Sequence, residues 1–243
     1  MAQTEMNVTL MAHTQTTWQL DSEWDKYKYS DGQAVALSAI RTCYSPNKPS
    51  EIVAKEGGKY FGKSATDGED GTDADRLMRM IVRSGHTSTL EHLSFTFAIE
   101  GVSRALLSQL TRHRVGFSFS VQSQRYVKFG SENKSGGMDY VMPDSVKGHP
   151  DAEDTFRQFM KEAQDYYDCL REDGISSEDA RAVLPNATAT NLVLTGNLRA
   201  LLDFYGKRRK GRGGQHEITE LAEALRREVT AAEPWTDAFF EEA

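Results

Sequence analysis

The sequence predicts a single domain, residues 1–243, that combines α-helices with β-strands. A chain of 243 residues can bury one sizeable core. No stretch of it is rich enough in linker residues to force a division into two domains. Apolar residues recur with helical spacing in several segments, whereas residues 93–100 alternate apolar and polar side chains with the period of a half-buried strand. Both kinds of element are therefore expected.

The first third of the chain contains two predicted helices separated by a polar segment. A short strand candidate lies at residues 8–10, and residues 32–44 carry apolar side chains at helical steps. Residues 46–73 are rich in Gly, Ser, Asp and Lys, with several glycines that can break an element. We expect this segment to be a mobile insertion or lid outside the core. Residues 74–84 return to helical spacing, and Gly85 is placed to end that helix.

The same periodicities predict the elements of the remaining chain. Residues 150–173 form the longest predicted helix, with apolar side chains on one side and many charges opposite. Residues 130–137 are predicted to be a polar turn and loop. The other predicted elements are helices at 103–112, 176–184, 197–208 and 215–228, strands at 126–129 and 188–194, and a segment at 234–240 that caps the core.

Composition and charge argue against several classes of protein. The net charge of -7 disfavours a general nucleic-acid binder, whose affinity comes from many basic contacts with phosphates. There is no run of 18 apolar residues, and the N-terminal segment lacks a cationic region and an apolar core. We therefore expect no membrane span, no signal peptide and a cytoplasmic location. Cys43 and Cys169 lack paired or metal-ligand spacing, which suits a reducing compartment, and neither is predicted to be a nucleophile.

Residues 112–126 concentrate basic and hydroxyl side chains. The segment holds three arginines, a histidine, three serines and two glutamines, and it has no carboxylate to neutralise them. Guanidinium groups match phosphate oxygens in a bidentate way, and serine hydroxyls add donors, so the segment indicates a site for a phosphorylated small molecule. Spacing alone leaves two alternatives open, a solvated surface face and a nucleic-acid patch.

Two other segments invite interpretations that we do not favour. His86, Glu91 and His92 could suggest a metal site, but the histidines are six residues apart, and no cysteine or third histidine lies nearby. We predict no metal site here. Residues 208–214 could be an RNA-binding tail, but this basic run is short, lacks interleaved aromatic residues and precedes an acidic helix, so a turn is favoured.

The basic segment resembles the signature of flavin-dependent thymidylate synthases. The run Gln109-Leu-Thr-Arg112-His113-Arg114, followed by Ser123-Gln124-Arg125-Tyr126, is similar to a family pattern of Arg-His-Arg, seven residues and then Ser. Here eight residues separate Arg114 from Ser123, and Val121 occupies a polar position of the pattern. Two registers stay open: either the extra residue bulges out between 115 and 122, or Ser120 takes the anchoring place instead of Ser123.

Further patterns resemble the same family in the expected order, so that the resemblance extends from about Gly85 to Ile218. An Ala-Arg-x-x-Leu-Pro pattern includes Arg181, for which a surface arginine covering apolar neighbours is the alternative interpretation. At Asp203 the commoner family residue is asparagine. The other matching positions are His86, Ser88 and Glu91 in a Gly-His, Ser/Thr and Glu-His pattern, Asn197, Arg199 and Arg208 on one helix, and Gln215, Glu217 and Ile218 after it.

The resemblance implies an α/β fold, with a single domain in which helices flank a mixed sheet. It also implies ligand-binding roles for particular side chains. The dUMP site would include Gln109, Arg112, Ser123, Gln124, Arg125, Arg181 and Arg208. The FAD site would include His86, Ser88, Glu91, Arg112, His113, Arg114, Asn197, Arg199 and Asp203. Of these residues, Arg208 and Ser123 would be catalytic.

The activity implied by the resemblance is methylation of dUMP to dTMP. Methylenetetrahydrofolate would donate the carbon, FAD would carry redox equivalents and NADPH would be the reductant. The implied assembly is a homotetramer with active sites between subunits, with neither nucleic-acid nor membrane partners. Two alternatives stay open: a protein that binds flavin and nucleotide without turnover, and an Arg-rich nucleic-acid-binding protein.

Overall fold

A four-stranded antiparallel sheet lies at the centre of the fold. The computed structural model describes residues 1–17 and 26–242. The strands are β1 (Asn7–His13), β2 (Ser94–Ser103), β3 (Phe117–Val121) and β4 (Ala189–Asn197), in the spatial order β1-β2-β4-β3. All three strand pairings are antiparallel, so the implied mixed sheet is wrong for these strands. An antiparallel sheet needs full cover on only one face, and β2 accordingly alternates buried side chains with more exposed ones.

Helices account for most of the remaining structure, and the predicted helical segments are confirmed. The α-helices are α1 (Asp31–Thr42), α2 (Ile52–Phe61), α3 (Asp73–Arg83), α4 (Arg104–Leu110), α5 (Pro150–Glu172), α6 (Ser177–Ala180), α7 (Leu198–Arg208), α8 (His216–Ala232) and α9 (Asp237–Glu242). Short 3-10 helices cover Pro49–Glu51, Thr87–His92, Arg181–Val183 and Pro234–Thr236. Within the described part of the chain, no helix is long and apolar enough to cross a membrane.

The core consists of a main cluster and a smaller one. The main cluster joins β2 and β4 to α1, α3, α7 and α8, and it includes fully buried Phe95, Phe97 and Phe204. The smaller cluster lies under α5. There Gln164 donates from Nε2 to the carbonyl of Phe129 at 2.9 Å and accepts from the amide of Met138 at 2.7 Å. A buried side chain thus satisfies two backbone groups, the carbonyl of Phe129 and the amide of Met138, that lie outside the four strands.

The expectation that residues 46–73 lie outside the core is wrong for their central part. Residues 52–61 form α2, whose Val53, Tyr60 and Phe61 belong to the main cluster. The ring of Phe61 stacks on Tyr29 with centroids 4.5 Å apart. The glycine pair at 57–58 suggested a break in the chain, but both glycines lie inside this helix. Burial of the apolar side chains that flank the pair outweighs the low helix propensity of glycine.

Strand prediction was wrong around the basic segment. The predicted strand at 126–129 is irregular, since a turn covers residues 124–126 and Tyr126 is 78% exposed. The strand instead lies earlier, at β3, where Phe117, Phe119 and Val121 face the core and the intervening serines are exposed. This alternation has the period of a half-buried strand.

Candidate active site

The Arg-His-Arg sequence lies directly after the last turn of α4. Ser103 caps the start of α4 by accepting from the amide of Leu106 at 3.0 Å. The carboxylate of Glu217, on α8, accepts from the amide of Ser103 at 2.7 Å and from its hydroxyl at 2.5 Å. Two contacts therefore hold α4 against α8, which fixes the position of the helix end at Leu110, just before Arg112.

The irregular backbone of the signature lies in the turn that follows. Residues 117–121 pair one-to-one with residues 192–196, without a register shift. The irregular backbone lies before the strand, where Val115 is 91% exposed and Gly116 has a φ of 75°. A Cβ at Gly116 would lie 2.7 Å from the Cβ of Ala200 and 2.8 Å from Nδ2 of Asn197. Glycine is thus required here both for its conformation and for the close approach of α7.

His113 and Arg208 are brought together by this arrangement. Arg208 donates from Nε to Nε2 of His113 at 3.1 Å, and the imidazole packs edge-on against Phe204, with centroids 4.9 Å apart. Burial lowers the pKa of His113, and the positive charge of Arg208 lowers it further. Because its Nε2 accepts this bond, the imidazole is neutral. The other two guanidinium nitrogens of Arg208 can still donate hydrogen bonds.

Arg112 and Arg114, on either side of His113, are both exposed. The described residues offer neither guanidinium an ion-pair partner. Gln109 lies in the last turn of α4, three residues before Arg112. It donates from Nε2 to Oε1 of Gln215 at 2.5 Å. The end of α4 therefore presents two unpaired cations beside the bonded His113 and Arg208, which makes it suited to binding an anion.

A second set of predicted residues lies at the start of α7. Asn197 caps α7 by accepting from the amide of Ala200 at 2.9 Å. Arg199 forms an ion pair with Glu91 in the 3-10 helix Thr87–His92. Asp203 pairs with Lys207 at 2.7 Å, one turn later on α7. His86 and Ser88 are exposed, and the structure gives their side chains no polar partner among the described residues.

A third set surrounds the second half of the signature. The hydroxyl of Ser123 accepts from the amides of Arg125 and Tyr126 at 3.1 and 3.4 Å, so it stabilises the turn that positions Arg125. Arg125 forms a 2.9 Å ion pair with Glu178. Arg181 donates from Nε to the carbonyl of Glu178 at 2.9 Å. Gln124 is half-buried in the same turn.

Two residues of this third set, Arg104 and Glu178, were not predicted from the sequence. Arg104 begins α4 and donates from Nη2 to the carbonyl of Gln122, next to Ser123, at 2.8 Å. The sequence does contain a signal for Arg104, because the run without carboxylates extends from residue 101 to residue 131, well beyond residues 112–126. Glu178 gave no comparable signal, since an acidic residue in the first turn of a helix is ordinary.

The third set remains separate from the residues at the end of α4 in the single chain. In the part of the chain that the structure describes, no hydrogen bond, ion pair or ring contact connects Ser123, Arg125 and Arg181 with Arg112, His113 and Arg208. A groove of about 940 Å³ lies between β1, α8 and residues 141–147, and none of the predicted site residues lines it. The described residues also contain no group of three or more His, Cys, Asp or Glu side chains able to hold a metal ion.

Comparison with known proteins decides the family. Residues 27–235 match the family model described as thymidylate synthase complementing protein. The chain belongs to the flavin-dependent thymidylate synthase family. The flavin-dependent thymidylate synthase of Geobacter sulfurreducens is 38% identical over 204 residues, which cover 84% of this chain and 80% of the relative. That of Nitratidesulfovibrio vulgaris is 38% identical over 233 residues, covering 93% and 82%.

Solved structures share the fold of this family member. A UMP/dUMP methylase, PolB from Streptomyces cacaoi with bound 5-Br dUMP, superposes with a TM-score of 0.71 at 23% identity, covering 99% of this chain and 96% of that one. Thymidylate synthase X from Helicobacter pylori, with FAD and dUMP, gives a TM-score of 0.66 at 23% identity, covering 98% of each chain. At this identity the likeness establishes the fold, and the α/β architecture predicted from the sequence is confirmed.

Proposed function

We propose that this chain is an FAD-dependent thymidylate synthase that methylates dUMP to dTMP. Methylenetetrahydrofolate donates the carbon and NADPH is the reductant. The observation that carries the proposal is the match to the flavin-dependent thymidylate synthases over most of the chain.

The side chains assigned to FAD fit a group with an anionic pyrophosphate. Arg112 and Arg114 are exposed, and no carboxylate among the described residues pairs with them. Asn197 and Arg199 lie at the start of α7, which closely approaches the turn at Gly116. When bound, the flavin supplies the redox chemistry of the methylation. The protein contributes fixed donors for the cofactor, with His113 kept neutral between the two arginines.

The side chains assigned to dUMP fit the binding of a phosphate and the stabilisation of negative charge. Arg125 and Arg181 are cationic donors. The oxygen of Ser123 accepts two amide protons, and no acceptor in the described structure takes its hydroxyl proton. No histidine or carboxylate contacts that hydroxyl in the described structure, so Ser123 acts as a donor rather than as an activated nucleophile. Arg208, oriented by His113, stabilises negative charge that develops on the pyrimidine.

The separation of these side chains supports an assembly with active sites between subunits. The dUMP residues of the third set and those at the end of α4 make no contact with each other in the described part of one chain. A second copy can bring one set opposite the other. We therefore propose a homotetramer in which each site takes residues from more than one subunit, and each site is completed only on assembly.

Two measurements distinguish this function from the alternatives. A yellow preparation, with absorbance of oxidised flavin, favours a flavoprotein over an Arg-rich nucleic-acid binder. NADPH oxidation coupled to dTMP formation, measured with dUMP and methylenetetrahydrofolate, separates an enzyme from a protein that binds flavin and nucleotide without turnover. Omission of dUMP provides the control. Flavin binding without any dTMP over many turnover times would reject the enzymatic proposal.

A further inference from the structure

The turn that follows α7 carries cations to which the proposed function assigns no ligand. Residues 209–212 form this turn, in which the amide of Arg212 donates to the carbonyl of Arg209 at 3.2 Å. Lys210 and Arg212 are exposed, and the sequence has no carboxylate between residues 204 and 216. Within the described part of the chain, none of the three cationic side chains forms an ion pair.

The turn projects into open space, and the protein does not satisfy all of its donors. Gly211 and Gly213 have φ angles of 88° and 74°, and a Cβ added at either glycine would meet no atom within 4 Å. In the described structure, Nε of Arg209 is buried and has no hydrogen-bond partner, although buried polar atoms are normally hydrogen-bonded. The charges of this turn are therefore available to a ligand from outside the chain.

Both ends of the turn contact residues that the proposed function assigns to FAD or dUMP. Arg208, directly before the turn, donates to Nε2 of His113 at 3.1 Å. Gln215, shortly after it, accepts from Nε2 of Gln109 at 2.5 Å. The turn thus lies at the rim of the proposed site, and its exposed cations are additional to those assigned to the flavin and the nucleotide.

We propose that this turn binds the glutamyl tail of the folate co-substrate through Arg209, Lys210 and Arg212. The inference rests on the proposed function and adds a subsite to it. The carbon-donating end of the folate must lie beside the reacting groups, so its tail has to leave the site across the rim. The tail ends in a glutamate with carboxylates on both its α and γ carbons, and each further glutamyl unit adds another carboxylate. Its negative charge therefore increases with its length.

The extra phosphate of NADPH is also anionic, but it fits this turn less well. Phosphate is a compact group, and guanidinium forks recognise it by directing several donors at one point. The cations of the turn instead follow one another along an exposed stretch of chain. Such a row suits a flexible chain of separate carboxylates, which needs no closed pocket.

The experiment measures how strongly the holoenzyme, with dUMP bound, prefers a long tail. Dissociation constants for monoglutamyl and pentaglutamyl tetrahydrofolate are measured by calorimetry without oxygen, and NADP⁺ and NAD⁺ are titrated in the same way. The double variant Lys210→Gln, Arg212→Gln removes both exposed charges, whereas Lys210→Arg, Arg212→Lys keeps them. The matched control Arg157→Gln, Lys161→Gln removes the same charge from the exposed side of α5. Flavin content and melting temperature are recorded for each variant.

We expect the wild type to bind the pentaglutamyl form more tightly than the monoglutamyl form. The double glutamine variant should lose about threefold to tenfold of this preference, because each exposed ion pair contributes modestly. The charge-conserving variant and the α5 control should keep the preference. Higher ionic strength should reduce it in the wild type, since salt screens exposed charges. If the double glutamine variant does not fold, its two single substitutions provide the test.

Equal affinities for the two tail lengths in the wild type, or an unchanged preference in the folded glutamine variant, would overturn the inference. A loss confined to NADP⁺ relative to NAD⁺ would also overturn it, by assigning the turn to the reductant. If the wild type shows the preference but makes no dTMP, the proposed function fails while the role of the turn is still decided. If it does not bind tetrahydrofolate, both fail.

Discussion

Arg208 and His113, 95 residues apart in the sequence, are joined by a 3.1 Å hydrogen bond from Nε of the arginine to Nε2 of the histidine. The bond requires an unprotonated Nε2, and the lowered pKa of His113 keeps the ring in that form. The contact ties the signature segment to the C-terminal end of α7. It also fixes the direction in which the remaining donors of Arg208 point.

The His113 contact should make stability depend on pH. Because the folded-state pKa of His113 lies below its usual value of about 6.5, the unfolded chain takes up this proton first as the pH falls. The contribution is therefore complete above about pH 6.5 and decreases as the pH drops through that range. We expect melting temperatures between about pH 7.5 and 5 to fall more steeply for the wild type than for His113→Gln. Parallel curves would contradict this prediction.

Flavin retention should depend on Arg199. Its guanidinium is about half exposed and paired with Glu91, so a ligand can reach it without disturbing the core. We expect Arg199→Ala to lose most of its bound flavin while its melting temperature changes little. Arg157→Ala, which removes an equally exposed arginine on α5, is the control. Full flavin occupancy in Arg199→Ala would show that this residue does not hold the cofactor.

Substitutions in the signature should distinguish its two registers. Arg125 pairs with Glu178 and its amide donates to the hydroxyl of Ser123, whereas Ser120 lies within β3 opposite Val193. We expect Arg125→Ala to weaken dUMP binding about tenfold to a hundredfold, and flavin content to stay constant. Ser120→Ala is the matched control and should be nearly silent. Titration of dUMP, followed by flavin absorbance, measures both, and a damaging Ser120→Ala with a silent Arg125→Ala would favour the other register.

Activity should not require either cysteine. Cys43 and Cys169 are both exposed and free, and no predicted site residue contacts them in the described structure. We expect the double variant Cys43→Ser, Cys169→Ser to keep its turnover of dUMP. Loss of turnover with normal folding and flavin content would instead point to a covalent cysteine mechanism.

The α2 segment should contribute substantially to stability. Phe61 is 5% exposed and stacks on Tyr29 in the main cluster. We expect Phe61→Ala to lower the free energy of unfolding by about 3–5 kcal/mol, because it leaves a cavity in the core. Lys59→Ala, on the exposed side of the same helix, should have little effect. Equal denaturation midpoints for the two variants would indicate that residues 46–73 behave as a loosely packed insertion.

The fold was largely predictable where periodic patterns are long. The 23-residue helix α5 and the 10-residue strand β2 each repeat their pattern enough times to be unambiguous. β3 has only five residues, and its alternating Phe and Ser side chains lie within a segment that also resembles a binding motif. α2 was missed because glycines that usually interrupt helices are tolerated where the flanking side chains are buried.

The sequence assigns candidate site residues but not their arrangement in space. The resemblance to the family implied roles for His113 and Arg208, but the contact between them depends on how α4 and α7 pack. The pairing of Arg125 with Glu178 likewise depends on where α6 lies relative to the turn after β3. Arg104 lies in the carboxylate-free run of residues 101–131, but that run does not show which of its arginines is half-buried in the fold.

The turn at Gly116 should tolerate a change in length but not a side chain in place of the glycine. Since the strand after it keeps its pairing and Val115 extends into solvent, we expect that one residue can be gained or lost at this turn without moving Ser123 or Arg125. The glycine itself cannot be exchanged, because any side chain would collide with Ala200 and Asn197. Homologous chains should therefore differ in length at this point while still keeping a residue without a side chain where the loop passes α7.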